Sequence, residues 1–493
     1  MDNKTIMQYF EWYLPNDGLF WNSCAAQAED IKKSGIDVVW LPPAYKGATG
    51  RKSVGYDVYD TYDLGEFRQK GAVRTKYGTK EEYLAAVKAF KDNGVEVYTD
   101  IVLNHMMGAD ELENVTVEAT APTNREKVIS GKFDIRTWTK FDFKGRNGKY
   151  SDFKWNHTHF SGSDWDEKRK RKGIYRFYGK QWDKQTDSEN VNYDYLMGVD
   201  LDFDNEETVK AVTDWGKWYY DTVQMDGFRL DAVKHIGIDF YRNWLKEMRT
   251  YTGKEMFAVG EYWSAELPKL IHYLDVAENS LSLFDVPLHY AMYEAATAVS
   301  SSGKKADLSK LFDETLVKER PANAVTFVDN HDTQPGQALV SFIPEWFKQT
   351  AYALILLRRD GVPCVFYGDY FGIPHDNIAP VSGLKELLAV RKNYAYGEQK
   401  DYFDEPSVVG FTRKGDSEHE NSGVAVILTN DVAGKKRMNV GKAFAGEHFY
   451  DILGNVKENV VIDKNGFGVF KAAENSVSVW VRKAAYEDIS VNE

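Results

Sequence analysis

Asp231 and Glu261 each close a strand-like apolar run, Asp332 follows a third, and Asp100 lies in a fourth. Arg229 and Asp231 are two apart on the extended run Gly227–Asp231, so their side chains point to one side. A fixed cation beside a carboxylate keeps it ionised, as a nucleophile requires. Glu261 stands in Phe257-Ala258-Val259-Gly260-Glu261-Tyr262-Trp263, and such neighbours raise a carboxyl pKa, which suits a general acid. Asp332 belongs to a polar cluster, Asp329-Asn330-His331-Asp332-Thr333-Gln334, at a strand end. A structural ion pair, a helix cap or turn chemistry would account for each segment alone. Together they are harder to dismiss, because gathering buried acids is costly. Three acids on three strands fit glycosyl transfer: a nucleophile, a proton donor and a stabiliser of an oxocarbenium-like transition state. Attack by Asp231 on the sugar carbon would retain configuration, and the Asp231–Glu261 carboxyl separation should then be about 5–5.5 Å.

Such convergence needs a scaffold whose strand ends share one rim. Strand candidates are Ile6–Trp12, Asp37–Leu41, Val95–Leu103, Gly227–Leu230, Met256–Gly260, Leu281–Phe284, Ala324–Val328 and Val362–Tyr367. Amphipathic stretches lie between them, among them Lys80–Asn93, Glu206–Val223, Asp239–Tyr251, Glu345–Arg359 and Leu384–Lys392. Eight βα units predict a closed (β/α)8 barrel, whose active sites sit at the C-terminal strand ends. Residues 104–205 are polar, aromatic and Gly-rich without a helical period; they are too long for a plain loop and read as an irregular β-rich domain inserted after the third strand. After about Ala395 the alternation stops, and Val408–Thr412, Gly423–Thr429 and Ser476–Val481 predict a C-terminal antiparallel β-sandwich. The expected organisation is therefore a barrel over 1–103 and 206–396, an insert over 104–205, a β domain over 397–485 and a tail over 486–493, with Ala484–Glu493 frayed.

The 493 residues exceed one simple core, and the formal charge of −13 argues against nucleic acid or an anionic membrane as partner. Aromatics make up 14%, including 13 Trp and 30 Tyr, which serve large cores and also stack on sugars. Cys24 and Cys364 read as small buried hydrophobes rather than a disulfide or zinc site. No apolar run reaches a membrane span, and the start lacks a signal-peptide core. The expected location is cytoplasmic, with the alternative of a secreted form whose signal has been removed. The basic run Lys168–Lys172 is flanked by Asp164, Asp166 and Glu167 and reads as a solvated loop.

The segments Asp100–His105, Gly227–His235, the strand leading to Glu261, and Phe327–Asp332 resemble the four signature regions of the α-amylase family, glycoside hydrolase family 13. Met7–Tyr13, Leu41–Gly47 and Asp332–Gln337 resemble more narrowly the bacterial liquefying-type members, and the similarity spans about residues 5–483. The resemblance implies retaining endo-hydrolysis of α-1,4-glucosidic bonds in starch, glycogen and maltodextrins. It implies Asp231 as nucleophile, Glu261 as acid/base and Asp332 as transition-state stabiliser. Arg229 would orient Asp231, His105 and His331 would bind the sugar at the cleavage point, and Tyr56 would stack on it. Lys234, His235 and Trp263 would contact the leaving-group side, while Asp100 would support the site. A monomer is the family-level expectation.

Asn192-Tyr193-Asp194 and Asp200-Leu201-Asp202-Phe203-Asp204 present alternating oxygens, as a hard cation needs, although Asn205 and Ala211 exclude an EF-hand. The resemblance implies a structural calcium held by Asn104, Asp194, Asp200 and the backbone carbonyl of His235. Relatives hold further ions through positions matching Asp183, Asp202 and Asp204 together with another Asp. Ser161 stands at the place of that Asp, so one calcium is expected. Another ion site of some relatives, between barrel and C-terminal domain, is not expected from Phe403-Asp404-Glu405-Pro406-Ser407. Two readings compete: an exo-acting or transglycosylating enzyme on the same site, and a glucan-binding scaffold without catalysis. A metal-hydrolase barrel is disfavoured, since no His-rich strand end supplies transition-metal ligands.

Overall fold

A computed structural model describes residues 3–297 and 305–491. Eight parallel strands close a barrel: β1 (Ile6–Gln8), β2 (Val38–Leu41), β3 (Glu96–Ile101), β4 (Gly227–Leu230), β5 (Phe257–Gly260), β6 (Ser282–Phe284), β7 (Ala324–Phe327) and β8 (Val362–Phe366). Each pairs with its sequence neighbours, and β8 closes on β1. Most of their residues are buried, because helices cover the outside and side chains fill the inside. β2, β4 and β5 end where Pro42, Asp231 and Glu261 follow. β1 stops at Gln8, short of the expected Trp12, and β3 at Ile101, short of Leu103, although apolar residues continue past both ends.

Local chemistry delimits the helices. Thr79 and Glu82 form a reciprocal cap that starts Lys80–Asp92. Asn205 caps Glu206–Val223, and Gln224 ends it in the left-handed conformation. Helices Leu267–Val276 and Val286–Thr297 complete the outer layer and were not among the expected stretches.

Between β3 and β4 lies an antiparallel sheet built on Glu111–Ala121, whose first part, from Glu111 to Val117, pairs with Phe133–Lys140. Val115 and Val117 face inward while Asn114 and Thr116 face water, the period-two pattern of a half-buried strand. The inner edge of this sheet is His105–Met106, paired with Val199–Leu201, and it brings His105 opposite Asp200. The basic run is a hairpin turn in which Arg169 pairs with Asp166 and Lys170 with Glu167.

Beyond the barrel, a six-stranded and a two-stranded antiparallel sheet enclose a core that includes Ile427, Met438, Phe449, Phe470 and Trp480. The expectation of a frayed tail is corrected: Lys483–Val491 is a helix, with Ala485 and Ile489 buried. Their four-residue spacing puts both on the face that meets the protein. Residues 492–493 lie outside the described residues. Cys24 and Cys364 are both free and buried. Among the described residues, no helix is long and apolar enough to cross a membrane.

Candidate active site

Strand register assembles the centre. Arg229 on β4 lies directly beside Asp100 on β3 and Val259 on β5. Neighbouring residues of parallel strands share a face, so the Arg229 side chain enters the barrel next to Asp100. Past the strand ends, Asp231 N–H donates to Ile101 O at 2.9 Å and Glu261 N–H to Leu230 O at 2.9 Å. Ala232, immediately after Asp231, has φ 50°. A left-handed alanine is strained and persists only where its surroundings hold it, here at the turn that presents Asp231.

Arg229 is 1% exposed and joins three carboxylates. Its Nη1 donates to Asp100 Oδ1 at 2.8 Å and to Asp231 Oδ1 at 2.6 Å, and its Nη2 donates to Glu261 Oε2. Asp100 is saturated: its Oδ2 also accepts from Trp40 Nε1 at 3.0 Å and Tyr56 Oη at 2.9 Å. Asp231 and Glu261 keep some exposure, 8% and 9%, against 0% for Asp100. These two acids can therefore meet a ligand, while Asp100 holds the arginine.

Burial pushes Glu261 well above the ordinary carboxylate range; Arg229 opposes this, and the charges of Asp231 and Asp332 add to it. Asp332 rises to about 6 through burial, again opposed by Arg229. One fixed cation thus serves several buried acids, and at least one of them favours its protonated form near neutrality.

The other expected residues gather around this centre. Gln8 Nε2 donates to His331 Nδ1 at 2.9 Å, which leaves His331 Nε2 facing Asp332 Oδ2 at 3.4 Å. Burial holds His331 well below its usual range and lowers His105 as well, so both rings are neutral donors. His105 Nε2–H donates to Tyr56 O at 2.9 Å. The Tyr56 ring lies parallel to His331, with centroids 5.0 Å apart. Lys234 Nζ donates to Trp263 O and pairs with Glu189, both at 3.1 Å. Burial pushes His235 down to about 3, with Lys234 adding to the fall, and its Nδ1 donates to Tyr193 O.

Several supporting residues were not singled out from the sequence. The Trp12 ring is parallel to both Tyr56 and His331, at 6.1 and 6.0 Å. Gln334 accepts from Trp12 N–H and donates to buried Glu11, both at 3.0 Å, tying the Asp332 loop to the segment after β1. Trp12 and Glu11 stand in the opening motif, but nothing local shows that residues more than 300 positions away complete their contacts.

Beside this centre lies a second group of oxygens. Asp194 and Asp200 are buried, and burial raises both well above the ordinary range; the charges of Asp200 and Asp183 add to the rise of Asp194, and those of Asp183 and Asp202 to the rise of Asp200. Asn104 Oδ1 is buried without a hydrogen-bond partner. An orphaned amide oxygen beside mutually repelling carboxylates fits an oxygen-seeking divalent cation. Carboxylate oxygens of Asp183, Asp202 and Asp204 lie within 4.8 Å of one another, a spacing able to hold an ion. Lys180 Nζ pairs with Asp202, and Ser161 Oγ donates to Asp200. An ammonium and a hydroxyl thus already meet two of these acids.

Comparisons with known proteins follow the same lines. The family profile described as "Alpha amylase, catalytic domain" matches residues 22–413, and "Alpha-amylase C-terminal" matches residues 424–481. An α-amylase of Geobacillus stearothermophilus is 52% identical over 492 residues, covering 99% of this chain and 89% of that protein. A cytoplasmic α-amylase of Escherichia coli strain K12 is 42% identical over 496 residues, covering 98% of this chain and 99% of that protein. Among solved structures, an Anoxybacillus α-amylase aligns with a TM-score of 0.65 at 18% identity, covering 97% of this chain and 98% of the other; that likeness concerns the fold alone.

Proposed function

The chain belongs to the α-amylase family, glycoside hydrolase family 13, and from that membership we propose the following division of labour at its active site. The reaction is endo-hydrolysis of internal α-1,4-glucosidic bonds in starch, glycogen and maltodextrins. The observation that carries the assignment is the Arg229 guanidinium holding Asp231 and Glu261 on adjacent nitrogens.

Glu261, kept protonated by burial, gives its proton to the glycosidic oxygen as the bond to C1 breaks. Asp231, paired with Arg229, attacks C1 from the opposite face and forms a glycosyl ester. Glu261, now a carboxylate, takes a proton from water, which attacks C1 and releases Asp231. Two inversions give overall retention. Asp332, with neutral His331, binds the sugar hydroxyls as positive charge builds at the ring, and His105 lines the same subsite with its one N–H held by Tyr56 O. Tyr56 offers its face to that sugar, and Lys234, His235 and Trp263 meet the leaving-group side.

The general acid must carry its proton, so activity is lost as pH rises through the Glu261 pKa. The charge of Asp332 raises that pKa. Asp332→Asn is therefore expected to move the alkaline limb of residual kcat/KM to lower pH. An unmoved limb would detach it from Glu261.

Calcium is the cofactor the donor set suits, held by Asn104, Asp194, Asp200 and the backbone carbonyl of His235. Its role is structural: a divalent charge would relieve the repulsion between buried carboxylates and fasten the insert beside His105. Chelation is expected to lower Tm, because a ligand at 100 times its Kd contributes about 2.7 kcal/mol. Asp200→Asn should lose most of the calcium-dependent rise in Tm seen on adding the ion back. A Tm indifferent to chelator would remove calcium from the account.

The cytoplasmic name of the Escherichia coli relative supports a cytoplasmic location for this chain, working as a monomer on soluble glucan. A time course on soluble starch tests the function. Rapid loss of iodine staining with mixed short oligosaccharides is expected; slow loss with one small product would favour exo-action or transfer.

A further inference from the structure

At the end of the barrel opposite the acids, a cavity of about 740 Å³ reaches the first residues of β1, β5 and β8. It lies where the barrel bottom meets the C-terminal sheet, and Arg391 and Arg413 line it. The acids on its wall each have a cation of their own. Glu96 pairs with Lys4 at 2.7 Å, Asp226 with Lys91 at 2.9 Å and Asp360 with Arg359 at 3.3 Å.

The two arginines are different. They are 3% and 4% exposed, and among the described residues neither has a carboxylate within ion-pair distance. Arg391 donates to Thr5 Oγ1 at 2.8 Å, Leu356 O at 2.5 Å and Lys4 O at 2.9 Å. Arg413 donates through Nε to Gly397 O at 3.1 Å and through Nη1 to Leu357 O at 3.2 Å. Its Nη2 has no hydrogen-bond partner among the described residues. Burial pulls Arg391 down to about 9, with Arg413 adding to the fall, and burial pulls Arg413 down to about 10. Buried cations without a counter-charge are costly, and neutral carbonyls return only part of that cost.

We propose that this cavity binds a small phosphorylated organic molecule, with its phosphate on the free Arg413 nitrogen and its body against Tyr98 and Phe257. A planar guanidinium matches phosphate geometry. The volume suits a small ligand, and pockets of this kind favour domain junctions. Tyr98 and Phe257 stack with centroids 5.3 Å apart and supply an apolar wall for a ring or chain. Arg413 belongs to the C-terminal sheet and Arg391 to the last barrel helix, Leu384–Asn393, so an anion here would join the two units.

The test is calorimetric titration of the full chain with phenyl phosphate and with inorganic phosphate. Saturable one-to-one binding is expected, at least fivefold tighter for phenyl phosphate. Arg413→Met should weaken it at least tenfold. Since removing a buried arginine can harm folding, Ala322→Glu provides a second arm. Ala322 is exposed at the cavity wall, and a carboxylate there should repel the anion at least tenfold while starch hydrolysis stays unchanged. No saturable binding to the unaltered chain, or undiminished affinity in either folded variant, would overturn the proposal.

Discussion

Replacing Glu261 by Gln is expected to lower kcat on starch by about 10²–10⁴-fold, the usual contribution of a positioned general acid. The amide keeps the size of the side chain and can still accept a hydrogen bond from Arg229, so the fold and glucan binding should persist. What it lacks is a proton to give to the glycosidic oxygen. The loss should therefore depend on the leaving group. With an α-maltosyl fluoride, whose fluoride departs without protonation, the first half-reaction should recover much of its rate. Undiminished starch hydrolysis by Glu261→Gln would remove Glu261 from the chemistry.

Replacing Asp231 by Asn should cost more, about 10⁴-fold or greater, as loss of a covalent nucleophile does elsewhere. An amide attacks C1 poorly, and an easier leaving group does not restore the missing bond. The fluoride should thus rescue Glu261→Gln and leave Asp231→Asn inactive. Asp231 shares Arg229 Nη1 with Asp100, so its removal leaves the arginine paired with Asp100 and Glu261. The variant should fold, and its Tm reports whether it has. Fluoride turnover near the unaltered rate in folded Asp231→Asn would assign the nucleophile elsewhere.

Much of the barrel was legible because its strands lie in short apolar runs separated by amphipathic stretches of helical period. The order of acids along the chain was legible for the same reason. The sharing of Arg229 was not. Pairing with Asp231 follows from two-residue spacing, but pairing with Asp100 and Glu261 depends on the registers of β3, β4 and β5, which no local pattern carries. The parallel rings of Trp12, Tyr56 and His331 come from three separate segments and become neighbours only when β1 meets the β7 side of the barrel. The insert hid its strands because the outward residues of Glu111–Ala121 are polar and its two valines are the clearest inward signal. Lys483–Val491 looked like a loose end because its helix is short, and docking through Ala485 and Ile489 rather than intrinsic propensity accounts for it.

The anomeric configuration of the first products tests the central claim most directly. The proposed division of labour between Asp231 and Glu261 is a double displacement, in which the sugar carbon is inverted twice. Proton NMR during the first minutes of maltoheptaose cleavage should show the α anomer of each new reducing end, relaxing later to the equilibrium mixture. Appearance of the β anomer first would mean direct attack by water, and would contradict Asp231 as the nucleophile.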